Sequence, residues 1–191
     1  MKASDSYRIK LGACAALAAT TLMSGAALAI GAGSPATPLP VLAGLGVGAE
    51  ARADLAATSP ETPAAEAMAA DRAAIKAAPL SAAAWLRIAY IKSRDGRPLD
   101  AEALDAIERS YSVAPFGADV TGWRLTFLYD HWGELTPQIR AEATQEHTTL
   151  IAWQQPVWNI DSINDPAGRM AATFTHAHAL TLQAKNLAQK P

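Results

Sequence analysis

A proline-centred pattern occurs twice in the middle of the chain, and it constrains the fold more than any other feature. Ala78-Pro79-Leu80 is followed by Trp85, and Ala114-Pro115-Phe116 is followed by Trp123. The interval between the two copies has room for one helix, a turn and a second helix. A repeat whose period lies in the mid-thirties of residues is typical of stacked helical hairpins. The sequence therefore predicts an all-α array of such hairpins.

The composition favours helices and disfavours sheets. Half of the residues are hydrophobic, many of them alanine, and alanine is the strongest helix former. No stretch alternates apolar and polar residues with the period of two that marks a half-buried strand. The net charge is −2, and the sequence has no basic stripe of the kind that binds nucleic acid. We therefore expect an all-α protein with no nucleic-acid partner.

The first 29 residues have the features of an export signal. Three basic residues among the first ten precede an uncharged apolar stretch, and Ala27-Leu28-Ala29 forms a small-x-small cleavage site before Ile30. The alternative is an uncleaved transmembrane anchor at residues 11–33, because this stretch exceeds the roughly 18 residues that suggest a membrane span. Both alternatives place the remainder outside the cytoplasm, in the periplasm, either released or held at the inner membrane.

The rest of the chain divides into three predicted parts. Residues 30–48 are rich in proline and glycine and form a predicted linker. Residues 49–155 hold the helical hairpins, and residues 156–191 hold a loop and a C-terminal helix. A hairpin array buries each apolar face only against its neighbours, so its end needs a cap. We expect the C-terminal helix to cover the last apolar face.

Local signals predict where the helices begin and which side chains they bury. The predicted N-caps are Thr62, Asp100, Thr136 and Asp165, each of a residue type that accepts hydrogen bonds at a helix start. Periodicity predicts that Trp85 and Trp123 occupy equivalent core positions. It also predicts the inward-facing residues of the last two helices, which are Ile139, Ala143, Glu146, Leu150 and Trp153 in one and Met170, Phe174 and Ala177 in the other.

The chain resembles the tetratricopeptide-repeat family in a degenerate form. The resemblance is carried by Trp85, Ile88 and Ala89 in a first helix and by Ala103, Ile107 and Pro115 in a second. Lys92 stands where the family has a tyrosine, which departs from its pattern. Over residues 49–155 the resemblance implies a short right-handed superhelix of two to three hairpins that binds other proteins. The chain is also similar to small exported envelope proteins of bacteria, some of them linked with surface polysaccharide assembly.

Four side chains are predicted contacts for a ligand or partner, namely Arg87, Arg124, Trp132 and Trp158. The two arginines follow the repeat tryptophans closely and could bind a carboxylate or phosphate by bidentate contact in an inner groove. The alternative is that they pair with acids on the surface, which stabilises little. The C-terminal tryptophans could stack on sugar rings or fill the core.

The sequence offers no convincing set of catalytic residues. His176 and His178 are two residues apart, so on a helix they point away from each other and cannot share a metal ion. The single cysteine, Cys14, lies in the apolar N-terminal stretch. We therefore predict no enzyme activity, no cofactor and no metal. The predicted function is an exported scaffold for protein–protein interaction at the cell envelope, with a polysaccharide-assembly or export complex as one setting.

An alternative function is a binding module for an acidic or carbohydrate ligand, built from the groove arginines and the C-terminal tryptophans. The predicted partner is a protein of the envelope. The membrane is a second partner if the N-terminal segment stays uncleaved.

Overall fold

The computed structural model describes residues 20–22, 46–117, 119–153 and 159–188, and in these ranges every regular element is helical. Its main helices are α1 (Gly46–Thr58), α2 (Ala64–Ala77), α3 (Ala82–Ser93), α4 (Ala101–Val113), α5 (Thr121–Asp130), α6 (Pro137–Ala152) and α7 (Pro166–Ala188). Short 3-10 helices lie at Arg94–Gly96, Trp132–Glu134 and Ile160–Ser162. The all-α prediction is confirmed for this part of the chain.

Several sequence predictions lie outside the described residues. These include the cleavage site at Ala27 and Ala29, most of the 30–48 linker, and Trp158. Within the described ranges, none of the helices combines the length and apolar character needed to cross a membrane.

Helices that follow one another in the chain pack together in pairs. The most extensive contacts join α1 to α2, α3 to α4, and α6 to α7. The first pair also contacts α3, and α7 contacts α5 as well as α6. The chain therefore builds a helical body in which α7 covers α5 and α6.

Three of the four predicted N-caps accept a backbone hydrogen bond at the start of their helix, as expected. Asp100 Oδ1 accepts a hydrogen bond from Ala103 N at 2.9 Å, and Thr136 Oγ1 accepts one from Ile139 N at 3.2 Å. Asp165 Oδ2 accepts one from Gly168 N at 2.8 Å. The prediction for Thr62 is wrong. Pro63 takes the N-cap position with an extended ψ of 141°, so α2 begins one residue later and no side chain caps it.

The main hydrophobic core is built from side chains of the five helices α3 to α7. Its fully buried side chains include Leu86, Ile107, Leu125, Leu128 and Ile139. The N-terminal pair α1–α2 is different, because its buried apolar side chains are almost all alanine. Alanine lets two helices approach closely but contributes little apolar area. Polar contacts must therefore contribute more of the attachment of α1 and α2 to α3.

The tryptophans occupy the edge of the core instead of its centre. Trp85 is only partly buried, and its indole Nε1 donates to Pro79 O at 3.1 Å. The adjacent Leu86 is 0% exposed and takes the core position. Trp123 is also partly buried, with its ring 6.1 Å from that of Tyr90. The prediction of two equivalent buried tryptophans is wrong, because the buried face of α3 is rotated by one residue.

The last helix buries small residues and exposes large ones. Met170 and Phe174 are 59% and 68% exposed, and Ala177 is exposed as well. The buried face contains Gly168 and Ala172 instead. A Cβ atom at Gly168 would lie 1.7 Å from Tyr129 O, so the backbones approach too closely for larger side chains. The predicted inward stripe of α7 is therefore wrong.

The predicted inward stripe of α6 is correct except at its C-terminal end. Ile139, Ala143 and Glu146 are buried, whereas Trp153 is 58% exposed. The helix ends at Ala152. Trp153 therefore lies beyond its last turn, where helical periodicity no longer determines the direction of the side chain.

Candidate binding groove

A buried arginine ties the C-terminal end of α4 to α5. Arg124 on α5 is 0% exposed. Its Nη1 donates to Ser110 O at 3.2 Å and Ala114 O at 3.0 Å, and its Nη2 donates to Pro115 O at 2.9 Å. Ala114 and Pro115 lie just beyond the last residue of α4, where the helix offers no further N–H donors to carbonyl groups. The guanidinium also lies 4.0 Å above the centre of the Tyr111 ring. Arg124 therefore fixes both the end of α4 and the segment that follows it.

Glu146 on α6 balances the charge of Arg124. Its carboxylate accepts from Arg124 Nε at 3.1 Å and Nη2 at 2.5 Å, from Tyr111 OH at 2.9 Å, and from Thr121 Oγ1 at 2.6 Å. A buried ion pair is stable only when such further donors satisfy its remaining lone pairs. Burial, followed by the charge of Glu146, raises the pKa of Tyr111, so the phenol keeps the proton it donates. This network locks α4, α5 and α6 together.

A groove of about 530 Å³ opens between α4 and α6, with the ring of Tyr111 in its wall. The lining carries three carboxylates, from Asp105, Glu108 and Glu142, and one cation, Arg109. Arg109 Nε lies 3.9 Å from Asp105 Oδ2, so part of its charge is already neutralised. The groove is therefore acidic.

The groove has one acid whose hydrogen bonding is incomplete. Glu142 Oε1 accepts from Gln138 Nε2 at 3.5 Å. Glu142 Oε2 is shielded from solvent and has no hydrogen-bond partner in the structure. The groove wall therefore carries a carboxylate whose hydrogen bonding is only partly satisfied, since a buried carboxylate oxygen without a donor is costly.

An exposed aromatic pair lies at one end of the groove. Phe116 lines the groove and is 37% exposed, and its ring centre lies 5.3 Å from that of Trp153. Trp153 is 58% exposed. Aromatic side chains that remain exposed beside a concave surface are enriched at protein interfaces. The groove thus combines an acidic wall with an apolar end.

The structure does not bring the four predicted contact residues together. Arg87 is 3% exposed, and Arg124 is completely buried. The alternative, pairing with surface acids, holds only for Arg87, whose Nη1 lies 3.7 Å from the exposed Asp54. The buried acids Asp71 and Glu146 also pair with Arg87 and Arg124, respectively. Trp132 is partly buried and stacks on Tyr129 with ring centres 4.9 Å apart. Trp158 lies outside the described residues.

The groove itself escaped sequence reasoning, although a signal for it was present. Gln138, Glu142 and Gln145 recur at helical spacing on α6, and Asp105 and Glu108 do so on α4. Such polar stripes usually face solvent. Only the packing of α4 beside α6 shows that they face each other across a groove.

A second buried ion pair attaches α1 and α2 to α3. Arg87 Nε lies 3.0 Å from Asp71 Oδ1, and its Nη2 lies 2.8 Å from Glu50 Oε1. Burial raises the pKa of Asp71 to about 6 in spite of Arg87. The folded state disfavours the charged carboxylate. The contribution of Asp71 to stability is therefore complete below its ordinary pKa and is lost as the pH rises through about 6.

A buried histidine under α7 has the opposite pH dependence. His147 Nδ1 lies 3.0 Å from Tyr129 OH, and its Nε2 lies 3.4 Å from His176 Nδ1. Burial and then the nearby His176 lower the pKa of His147 to about 4. The ring is therefore neutral at pH 7. Its contribution to stability is present above the ordinary histidine pKa and is lost as the pH falls through about 4.

Among the described residues, no group of three or more His, Cys, Asp or Glu side chains is placed to hold a metal ion. Comparison of the chain with protein-family models, curated proteins and solved structures gives no significant match. The groove is therefore interpreted from its own chemistry.

Proposed function

We propose that this chain is a non-enzymatic, exported helical scaffold of the cell envelope that binds a protein partner in the groove between α4 and α6. The acidic groove with exposed Phe116 and Trp153 at its end carries the proposal. Export rests on the N-terminal sequence pattern. The expectation of a short superhelix similar to tetratricopeptide repeats rests on the sequence resemblance.

The groove chemistry suits a partner segment that carries a lysine or arginine next to an apolar side chain. The basic group would approach Glu108 and Glu142, whose carboxylates line the groove and attract a cation. The apolar group would cover Phe116 and Trp153. The buried Arg124–Glu146 pair holds the walls in place, so little conformational entropy is lost on binding.

A neutral carbohydrate is a second candidate ligand for the same groove. Carboxylates and the amide groups of Gln138 and Gln145 can bind sugar hydroxyls, and Phe116 offers a ring for stacking. An acidic ligand is disfavoured, because the groove is itself acidic. The guanidinium groups of Arg87 and Arg124 are buried and occupied by protein acceptors.

The proposal is tested by co-purification from crosslinked membranes with four variants of the full chain. Glu142→Gln and Phe116→Ser change the groove. Glu66→Gln and Leu80→Ser are matched controls, because both residues are exposed and lie outside the groove lining. We expect the two groove variants to lose the partner and the two controls to keep it.

Two results would redirect the proposal. A partner retained by all four variants would place the interface elsewhere on the protein. Binding of a defined oligosaccharide on a glycan array, lost in Phe116→Ser, would favour the carbohydrate function instead.

A further inference from the structure

The outward face of α7 is apolar in its N-terminal half. Met170 and Phe174 are 59% and 68% exposed, and Leu180 and Leu182, at the margins of this face, are 46% and 40% exposed. Scattered exposed hydrophobic side chains are ordinary, but several on one helix face mark an interaction surface. The opposite face of α7 packs through small residues, so the large side chains extend away from the helical body.

The charge of α7 is entirely basic. Over its 23 residues the helix contains no aspartate or glutamate, and it carries Arg169 and Lys185. Both are exposed, and neither forms an ion pair with any carboxylate in the described ranges. Arg169 uses its Nε to bind Ile163 O at 3.0 Å. Lys185 follows Phe174 by about three helical turns, so both lie on one line of the surface.

The remainder of the described chain has the opposite charge. Acidic residues outnumber basic ones from residue 46 to residue 165. This asymmetry orients the molecule, because an anionic surface attracts α7 and repels the acidic body.

We propose that the outward face of α7, with Met170, Phe174 and Lys185 on it and Arg169 at its margin, is a contact surface for an anionic phospholipid bilayer. A single convex helix needs no complementary cleft when it lies in the interface between lipid headgroups and acyl chains. The side chains of Met170 and Phe174 enter that boundary, and the cations of α7 pair with the anionic headgroups. This surface is separate from the groove between α4 and α6.

A second copy of the chain fits this face less well than a bilayer does. A symmetric dimer would place the same patch on both sides of the interface. Because α7 has no acidic residue, the two patches would bring arginines and lysines towards one another. That repulsion opposes pairing, whereas anionic headgroups relieve it.

The proposal is tested on the full chain with an environment-sensitive fluorophore at position 174. Cys14→Ser removes the only cysteine, and Phe174→Cys then provides the labelling site. We expect a blue shift and a several-fold rise in emission on vesicles of phosphatidylglycerol and phosphatidylcholine, with quenching by lipid-attached quenchers. A label at Asp105→Cys on α4 should stay in water, even if residues 11–33 anchor the chain.

The charge requirement is tested in the same labelled protein. Arg169→Gln combined with Lys185→Gln should reduce the emission change on anionic vesicles several-fold, and vesicles of phosphatidylcholine alone should give little change. The proposal is overturned by an unchanged spectrum on anionic vesicles, or by equal changes at positions 174 and 105. It is also overturned by an equal emission change at position 174 on neutral vesicles. A shift that grows with protein concentration without lipid would assign the face to a second copy instead.

Discussion

Replacing Arg124 with methionine should destabilise the protein far more than removing an exposed arginine. The change leaves Glu146 buried at 1% exposure without its cation, and it removes the side-chain donor to Ala114 O and Pro115 O just beyond the end of α4. Breaking a buried ion pair on one side costs about 3–5 kcal/mol. A domain with a total stability of about 5–15 kcal/mol would lose a large share of it.

The measurement is urea unfolding followed by far-UV circular dichroism. Arg72→Met is the matched control, because the side chains of Arg72 and its partner Glu102 are 64% and 48% exposed. Exposed ion pairs of this kind contribute about 0–1 kcal/mol to stability. Glu146→Gln should cost less than Arg124→Met, since Arg124 keeps its carbonyl acceptors. A loss below about 1 kcal/mol for Arg124→Met would refute the idea that this network locks α4, α5 and α6 together.

Three further predictions concern packing and pH. Gly168→Ala should lower the melting temperature and displace α7, because the added Cβ would lie 1.7 Å from Tyr129 O. Gly133→Ala should be nearly neutral, because no atom lies within 4 Å of its added Cβ. Equal melting temperatures of the two variants would contradict the close approach of α7 to Tyr129. Leu86→Ala should lower the free energy of unfolding by about 2–5 kcal/mol, which is more than truncation of the preceding tryptophan to alanine should cost. Chemical denaturation would show the reverse order if that tryptophan were the core residue. The pKa shifts of Asp71 and His147 each correspond to a contribution of about 3 kcal/mol. As the pH falls from 6.5 to 4, the contribution of Asp71 increases while that of His147 is lost. Asp71→Asn removes the first of these, so the unfolding free energy should fall more steeply over this range than in the parent. An unchanged pH profile would show that the buried Asp71 carboxyl does not titrate in this range.

Helix boundaries could be predicted from the sequence because their signals are local. Asp100, Thr136 and Asp165 cap helices through donors only three residues away. Pro79 and Pro115 follow the helix ends at Ala77 and Val113, as expected of residues that cannot continue a helix. These signals fix the all-α character of the described ranges without any knowledge of tertiary contacts.

The buried faces were harder to predict, because apolar size is a poor guide to helix orientation here. In α7 the contact with Tyr129 selects Gly168 and Ala172 for the inner face. Periodicity could not show this, since it ranks Met170 and Phe174 above glycine and alanine as core residues. The same limit explains why Trp85 was assigned to the core in place of Leu86.

The groove depends on contacts that are distant in sequence. Glu146 belongs to the predicted inward stripe of α6, but its partners Arg124 and Tyr111 lie on other helices. No local pattern pairs a glutamate with an arginine 22 residues earlier and a tyrosine 35 residues earlier. The acidic wall arises only when that network sets α4 beside α6.

Photo-crosslinking in cells tests the central claim, that the groove holds a protein partner. A photoreactive amino acid would replace Phe116 at the end of the groove, and in a second strain it would replace Leu80, which is 78% exposed and lies outside the groove lining. We predict a discrete protein adduct from position 116 that disappears in the Glu142→Gln background, and no such adduct from position 80. Position 116 giving no adduct, or the same adducts as position 80, would contradict the account.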